Sequence, residues 1–268
     1  MTSNAINLEV CDFEKRFGIV SKHLAVCDEH GEYASIVSVK TSKPSGCPKC
    51  ADLAEVRKQA EEQQAMFERI ARERIERRLG NALIPPRFAG KTFDDYQTKE
   101  SGQKKNLGVC VDYARNFRSH LEVGRCLLLL GKPGTGKTHL ATAIAGHVVV
   151  NHNVIAAYRT VTSILQYIKG SYDSRSDYSE AEAFEALIEP HLLIIDEAGA
   201  TKPTEFELAT MFTLINGRYE QMRPTILVSN LMPKELPGVI GDRCVDRLRE
   251  NGGIALVFNW ESERGKKP

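Results

Sequence analysis

A glycine-rich run near the middle of the chain has the pattern G-x-x-x-x-G-K-[ST], which is typical of phosphate-binding loops. It follows the apolar residues 127–130 and precedes a helix-compatible stretch, HLATAIAGHVVV. Glycines let backbone N–H groups approach phosphate oxygens where a Cβ would block them, and the following helix directs its positive end toward the anion. We expect Lys137 to neutralise the β- and γ-phosphates of ATP and Thr138 to place its hydroxyl on Mg²⁺. The predicted nucleotide-binding residues of this segment are Gly131, Lys132, Pro133, Gly134, Thr135, Gly136, Lys137, Thr138 and His139.

Two carboxylates, Asp196 and Glu197, follow a second apolar run at residues 192–195. Such a run predicts a buried strand, and ligands of open α/β sheets bind at the carboxyl ends of the strands. We expect Asp196 to hold Mg²⁺, mainly through water, and Glu197 to orient and deprotonate the attacking water. The pair therefore predicts hydrolysis of the triphosphate.

A third apolar run, residues 225–229, ends at Asn230. In ATPases of the AAA+ class, a polar residue at the end of the strand beside the Asp-Glu strand contacts the γ-phosphate or the lytic water. Asn230 is therefore the candidate sensor, although an asparagine after a strand is also common in turns. Further along, Arg243 and Arg247 are spaced at helical intervals. This spacing is compatible with a solvated basic helix face or with an arginine that completes a neighbouring subunit's site.

Two short Cys/His pairs near the start of the chain have spacings close to those of a zinc ribbon. Three thiolates and one imidazole suit tetrahedral Zn²⁺, and four protein ligands leave no open position for catalysis. We therefore predict a structural zinc site that stabilises a β-hairpin over residues 31–46. The predicted ligands are Cys27, His30, Cys47 and Cys50, and Cys11 or His23 could replace one of them.

The elements that position these residues belong to an ordinary globular chain of 268 residues. Hydrophobic residues make up 42% and charged residues 26%, which excludes a collagen-like, wholly disordered or purely coiled-coil protein. The 36 Lys and Arg residues almost balance the 35 Asp and Glu residues, so any contact with nucleic acid must come from a local patch. The apolar runs are far shorter than the ~20 residues that span a bilayer, and the polar start lacks the layout of a signal peptide. We therefore predict a cytoplasmic protein with no membrane contact.

Changes in composition along the chain predict three parts. Residues 1–50 form a zinc-binding module, residues 51–84 a helical linker, and residues 85–268 an ATPase domain. Residues 51–79 contain no Gly or Pro and carry apolar side chains at helical intervals, which predicts one long helix. From Arg87 onward, short β-rich runs alternate with helical stretches. The predicted fold class is α/β, a parallel sheet with helices on both faces.

The chain from about Leu83 to Arg264 resembles the DnaC-type replicative helicase loaders, AAA+ P-loop ATPases related to DnaA and to the IstB-like ATPases of transposition. The resemblance is carried by PRF with TFD, LLLLGKPGTGKTHLATAI, LLIIDEAG, INGRYEQMRPTILVSNL, GDRCVDRLRENGG and the tail FNWESER. The first three also occur in the transposition ATPases, whereas the last two are more like the loaders. By this resemblance, Arg247 is the expected arginine finger and Arg264 the expected second sensor at the nucleotide.

The resemblance implies an ATP-dependent switch that binds single-stranded DNA, grips a hexameric DnaB-type replicative helicase and helps to load it onto DNA. It also implies self-association into an AAA+ oligomer when ATP is bound. The zinc module and the helix after it resemble the helicase-binding end of loaders from Gram-positive bacteria and some phages. Residues 161–178 interleave basic and aromatic side chains, as single-strand binding requires. Thr204 and Phe206, after the Asp-Glu strand, occupy positions where the resemblance implies contact with DNA. The candidate DNA-binding residues are therefore Lys169, Tyr172, Thr204 and Phe206.

Other functions compete with this interpretation. The alternative is an IstB-like AAA+ ATPase that regulates transposition on duplex DNA, and the zinc module and the Arg247/Arg264 ending weigh against it. A metabolic kinase would need a lid and an acceptor pocket, for which the sequence shows no segment. A non-enzymatic zinc scaffold is disfavoured because every expected catalytic part is present.

Overall fold

The computed structural model of the chain describes residues 8–200 and 202–263. The expected second sensor, Arg264, lies outside the described residues. The chain divides into two compact units, residues 1–72 and residues 73–268. Within the described ranges, no helix combines the length and the apolar character needed to cross a membrane.

The first unit is built on an antiparallel β-hairpin that differs from the predicted one. Its strands pair from Cys27 opposite Gly31 at the turn to Ile19 opposite Ser38 at the open end. The prediction of a hairpin over residues 31–46 was wrong, because the first strand comes from residues 19–27 and the turn lies between Cys27 and Gly31. The elements of this part of the chain are α1 (Asp12–Arg16), β1 (Ile19–Cys27), β2 (Gly31–Ser38) and α2 (Pro48–Asn81), of which α2 continues into the second unit.

The long helix predicted over residues 51–79 is confirmed as α2, which begins three residues earlier, at Pro48. Proline suits the first helical position, because its missing N–H would have no partner there and its fixed φ matches the helix. The apolar side chains of Leu53, Val56 and Phe67 share one face of the helix and are 55%, 63% and 68% exposed.

The second unit is a parallel sheet with helices on both faces, which confirms the predicted fold class. Across the described residues its strand order is β4-β5-β6-β3-β7, and every neighbouring pair is parallel. The elements after α2 are α3 (Ser101–Arg115), α4 (Phe117–Glu122), β3 (Leu127–Gly131), α5 (Lys137–His152), β4 (Ala156–Thr160), α6 (Val161–Gly170), α7 (Glu180–Ile188), β5 (Leu192–Ala198), α8 (Glu205–Glu220), β6 (Thr225–Ser229), α9 (Pro237–Ile240), α10 (Asp242–Arg249) and β7 (Ile254–Phe258).

The central strands are buried on both faces, which is why their sequences are unbroken apolar runs. Leu127 and Leu129 pack into the core beneath α3 and α5, whereas Leu128 and Leu130 pack into the core on the opposite face. Because β3 and β6 are parallel, with Leu130 opposite Ser229, their carboxyl ends meet at one edge of the sheet. The three predicted motifs lie at the carboxyl ends of β3, β5 and β6, at this edge.

Candidate nucleotide-binding site

A cleft of about 600 Å³ lies at the carboxyl edge of the parallel sheet. Its size is in the range of small-molecule and cofactor sites. It brings together the residues that the sequence placed on three separate motifs. The predicted residues that line it are Pro133, Gly134, Gly136, Lys137, Thr138, His139, Asp196, Glu197 and Asn230.

Two glycines of the phosphate-binding loop occupy positions that no side chain could share. Gly131 has φ +120°, and a Cβ there would lie 2.3 Å from the carbonyl oxygen of Phe258. Gly136 has φ +92°, and a Cβ there would lie 2.4 Å from the Tyr96 ring. The glycines therefore allow the loop to pass closely over its neighbours and to direct the N-terminus of α5 at the cleft.

The loop is held through the backbone carbonyl of Thr135, a residue that does not line the cleft. The Tyr96 hydroxyl donates to this oxygen at 3.0 Å, and the Trp260 indole N–H donates to it at 3.2 Å. Thr135 is only 2% exposed, so these two donors satisfy a buried acceptor. Two segments far apart in the sequence thus fix one point of the loop.

Three predicted loop residues do not line the cleft: Gly131, Lys132 and Thr135. The Lys132 backbone N–H donates to the Phe258 carbonyl at 2.9 Å, and its Nζ lies 3.7 Å from the Glu261 carboxylate. These residues shape the loop from the side of β7 and the tail that follows it.

Lys137 is 4% exposed, and its ammonium donates to the carbonyls of Gly131 at 2.7 Å and Lys132 at 2.6 Å. His139 lies in the first turn of α5, with Nε2 2.8 Å from the Thr92 carbonyl. Both side chains lie on the cleft wall, at the positive end of α5.

Asp196 is buried at the end of β5 and accepts three hydrogen bonds. Thr138 Oγ1 and the Tyr158 hydroxyl donate to Oδ2 at 2.8 Å and 2.9 Å, and the Glu197 backbone N–H donates to Oδ1 at 2.7 Å. The two residues expected at Mg²⁺, Thr138 and Asp196, are therefore in direct contact. Hydroxyl and carboxylate oxygens are the ligands that Mg²⁺ prefers.

Glu197 is exposed on the cleft wall because β5 is irregular at its end. The pairing of β5 with β6 shifts register between Ile195 and Ala198, and Glu197 takes the left-handed conformation with φ +60°. The Ser229 hydroxyl donates to the Ala198 carbonyl at 2.6 Å and closes the irregularity. A left-handed conformation costs a residue other than glycine about 1–3 kcal/mol, and such strain is concentrated at functional sites.

The two remaining predicted catalytic residues are placed differently. Asn230 follows β6 and lies exposed on the cleft wall. Arg247 lies on α10 and does not line this cleft. Its guanidinium lies 4.3 Å from the centre of the Tyr219 ring and 3.4 Å from the Glu250 carboxylate.

Three of the four candidate DNA-binding residues form one cluster, with Lys169 on α6, Tyr172 in the turn after α6 and Phe206 on α8. Lys169 Nζ lies 5.1 Å from the centre of the Phe206 ring, and the Tyr172 ring meets the same ring edge to face at 6.4 Å. Tyr172 is 55% exposed, and its hydroxyl donates to Glu180 at 2.7 Å. Thr204 instead caps α8, because its hydroxyl oxygen accepts the N–H of Glu207 at 3.2 Å.

The predicted zinc ligands meet in the first unit. One ligand atom from each of the four lies within 4.8 Å of all the others, and Cys11 and His23 are not part of this group among the described residues. The Cys27 and Cys50 sulfurs are 3.5 Å apart, and His30 Nδ1 lies 3.6 Å and 3.3 Å from them. Tetrahedral Zn²⁺ with ordinary bond lengths holds two sulfurs about 3.8 Å apart, so the four residues fit that ion.

The electrostatics of this group favour a metal-binding thiolate. A hydrogen bond from His30, helped by backbone N–H groups, lowers the pKa of the Cys27 thiol to about 6. The hydrogen bond between the two sulfurs raises the pKa of the Cys50 thiol to about 12. Cys27 has the lower pKa of the pair, and a cation between the sulfurs would favour ionisation of both.

The family described as "IstB-like ATP binding protein" matches residues 57–249. The chain belongs to this family. The matched residues include those of the cleft from Pro133 to Asn230.

Other comparisons agree with this assignment. The chain is 30% identical over 191 residues to the replicative helicase loader DnaC of Buchnera aphidicola subsp. Acyrthosiphon pisum, covering 71% of this chain and 76% of that one. Among solved structures, it is similar to a DnaC helicase loader, with a TM-score of 0.59 and 22% identity over 65% of this chain and 99% of that chain. It is also similar to AMPPCP-bound DnaA from Aquifex aeolicus, with a TM-score of 0.54 and 21% identity over 67% of this chain and 52% of that chain. The predicted DnaC-type family and AAA+ fold are confirmed, and the chain is an ATPase of the AAA+ class.

Several cleft residues were not predicted as site residues. Arg87 and Phe88 come from the segment before α3, and Tyr158 comes from β4. PRF indicates only the family resemblance, and Tyr158 lies in an ordinary strand sequence. β4 and β5 pair in parallel, with Thr160 opposite Asp196 and Tyr158 opposite Ile194. This register places Tyr158 only two positions from the strand end that carries Asp196, and it is the signal that could have indicated Tyr158. The other such lining residues are Val228, Ser229 and Glu263.

Proposed function

We propose that this IstB-like ATPase loads a hexameric DnaB-type replicative helicase onto DNA and that ATP binding and hydrolysis control its grip on single-stranded DNA. The observation that carries the proposal is the match to a replicative helicase loader DnaC over 76% of that relative's length. The Thr138–Asp196 contact beside Glu197 supports the hydrolytic step.

In this proposal, the cleft residues divide the work of hydrolysis. Thr138 and Asp196 hold Mg²⁺, which neutralises charge on the phosphates. Lys137 supplies a second positive charge, and the exposed carboxylate of Glu197 takes the proton of the attacking water. Asn230 contacts the water or the γ-phosphate at the end of the neighbouring strand.

Arg247 acts on the site of a neighbouring subunit in an ATP-bound AAA+ oligomer. The support is that its guanidinium lies on α10 and not on the cleft of its own chain. Stacking on Tyr219 and pairing with Glu250 restrict the rotamers of a long side chain, so less entropy is lost when the arginine meets a phosphate. Arg264 serves as the second sensor at the nucleotide.

The cluster of Lys169, Tyr172 and Phe206 forms the core of the single-strand contact, beside Thr204. Lys169 lies next to the half-buried Phe206 ring, which the exposed Tyr172 ring meets, so the cluster offers charge to a phosphate and an aromatic face to a base. Single-stranded DNA should therefore stimulate ATP turnover, and Tyr172→Ala should reduce that stimulation. Stimulation by duplex DNA alone would contradict the proposal and favour the transposition alternative.

The zinc module and the exposed face of α2 hold the helicase. Zn²⁺ is bound by Cys27, His30, Cys47 and Cys50 and stabilises a hairpin that is too small to fold without support. On α2, the exposed Leu53, Val56 and Phe67 supply one apolar face for a protein partner.

A capture experiment tests this part of the proposal. The variants Val56→Glu and Phe67→Glu place a charge in the apolar face of the full chain and should weaken capture of a DnaB-type hexamer. Ala65→Glu is the matched control, because it adds the same charge to the same helix on the opposite face. Equal capture by all three variants and the wild type would remove α2 from the interface.

A further inference from the structure

Tyr158 reaches the cleft from β4, a strand that none of the nucleotide motifs includes. Its backbone is fixed on both sides, because it pairs with Ile194 of β5 and donates its N–H to the Ala82 carbonyl at 2.8 Å. The side chain is 6% exposed. The ring therefore has a fixed position beside the end of β5.

The Tyr158 hydroxyl donates to Asp196 Oδ2 at 2.9 Å, and the same oxygen accepts Thr138 Oγ1 at 2.8 Å. The other carboxylate oxygen accepts the Glu197 N–H at 2.7 Å. A tyrosine phenol has an ordinary pKa of about 10, so the hydroxyl is protonated at neutral pH and acts as a donor to the carboxylate. Three donors thus fix the rotation of one buried carboxylate.

We propose that Tyr158 is a positioning residue for magnesium, which holds the Asp196 carboxylate in the orientation that binds the ion and its water. The inference rests on the proposed function, in which Asp196 and Thr138 hold Mg²⁺. Because Tyr158 acts through Asp196, its loss should weaken the metal interaction and leave metal-free nucleotide binding intact. Partners that orient metal ligands typically change metal affinity or activity by about 10–100-fold when they are removed.

The test uses Tyr158→Phe in the full chain, which removes the hydroxyl and keeps the ring. A fluorescent ATP analogue is titrated in EDTA and then at increasing Mg²⁺, and the Mg²⁺ concentration for half-maximal ATP turnover is measured in parallel. Tyr113→Phe is the matched control. It also removes a buried tyrosine hydroxyl, which donates to the Arg125 carbonyl at 2.7 Å.

We expect Tyr158→Phe to raise the half-maximal Mg²⁺ concentration about tenfold or more in both measurements, with nucleotide affinity in EDTA within twofold of the wild type. Tyr113→Phe should leave both quantities unchanged. A half-maximal Mg²⁺ concentration within twofold of the wild type for Tyr158→Phe would overturn the positioning role alone. An equal loss of affinity in EDTA would show a structural role instead. If nucleotide binding and ATP turnover by the wild-type protein do not depend on Mg²⁺, the proposed metal site itself would be overturned.

Discussion

The Thr135 carbonyl anchors the phosphate-binding loop through two side-chain donors, and these donors can be removed separately. Tyr96→Phe deletes the hydroxyl that donates at 3.0 Å, and Trp260→Phe deletes the indole N–H that donates at 3.2 Å. A carbonyl oxygen accepts two hydrogen bonds, so each single variant leaves one donor in place. The double variant removes both side-chain donors from a buried oxygen.

The free energies of unfolding should reflect this shared acceptor. Tyr96→Phe should cost about 1 kcal/mol, the net value of one hydrogen bond. Trp260→Phe should cost about 2–3 kcal/mol, because the indole also packs against Phe258, with ring centres 4.9 Å apart, and leaves space when it is shortened. An unsatisfied buried acceptor costs about 1–3 kcal/mol. The double variant should therefore lose at least about 1 kcal/mol more than the sum of the single losses.

Urea unfolding followed by circular dichroism measures the four free energies of this cycle. A fluorescent ATP analogue measures nucleotide affinity, which should fall most in the double variant, because the loop loses its anchor. The control cycle pairs Trp260→Phe with Tyr219→Phe, whose hydroxyl donates to Glu250 at 2.9 Å and not to Thr135. The control should be additive within about 0.3–0.5 kcal/mol. The same additivity for Tyr96 and Trp260 would refute the shared anchor.

Three further predictions concern the proposed chemistry. Glu197→Gln should bind ATP like the wild type and lose about 10²–10⁴-fold in phosphate release, because a general base of this kind supplies that factor; unchanged turnover would exclude it as the base. Arg247→Ala should lower turnover about 10³-fold only at concentrations where the protein assembles, as followed by light scattering, and an equal loss in dilute monomer would mean that it acts within its own chain. A chelator should release one Zn²⁺ per chain, detected with a colorimetric dye, and reduce the circular dichroism of the first unit. Cys47→Ser should bind the ion more weakly, and full metal retention by this variant would contradict the ligand set.

The sheet and the centre of the cleft could be predicted from the sequence because both depend on local patterns. Residues 127–130, 192–195 and 225–229 are apolar runs, as expected for strands buried on both faces. Parallel pairing then places the residues after each run at one edge, so the presence of Lys137 and Asp196 in one cleft could be predicted from the fold class.

The parts that the sequence analysis missed depend on contacts between distant segments. Tyr96, Tyr158 and Trp260 each make one hydrogen bond to a motif that lies far away in the sequence, and nothing in their own neighbourhoods indicates it. The hairpin was misplaced because β1 mixes polar and apolar residues on both faces, and its exposed Val20 and Leu24 hide the alternation expected of a half-buried strand.

The irregular end of β5 explains how two adjacent carboxylates can serve one site. In a regular strand, successive side chains point to opposite faces of the sheet, so Asp196 and Glu197 would be directed apart. The register shift before Ala198 and the positive φ of Glu197 break this alternation, and both residues line the cleft. The bonds from the Glu197 N–H to Asp196 and from Ser229 to the Ala198 carbonyl offset part of the strain. The strained residue is the one whose side chain is proposed as the base, which is where a costly backbone conformation would be retained.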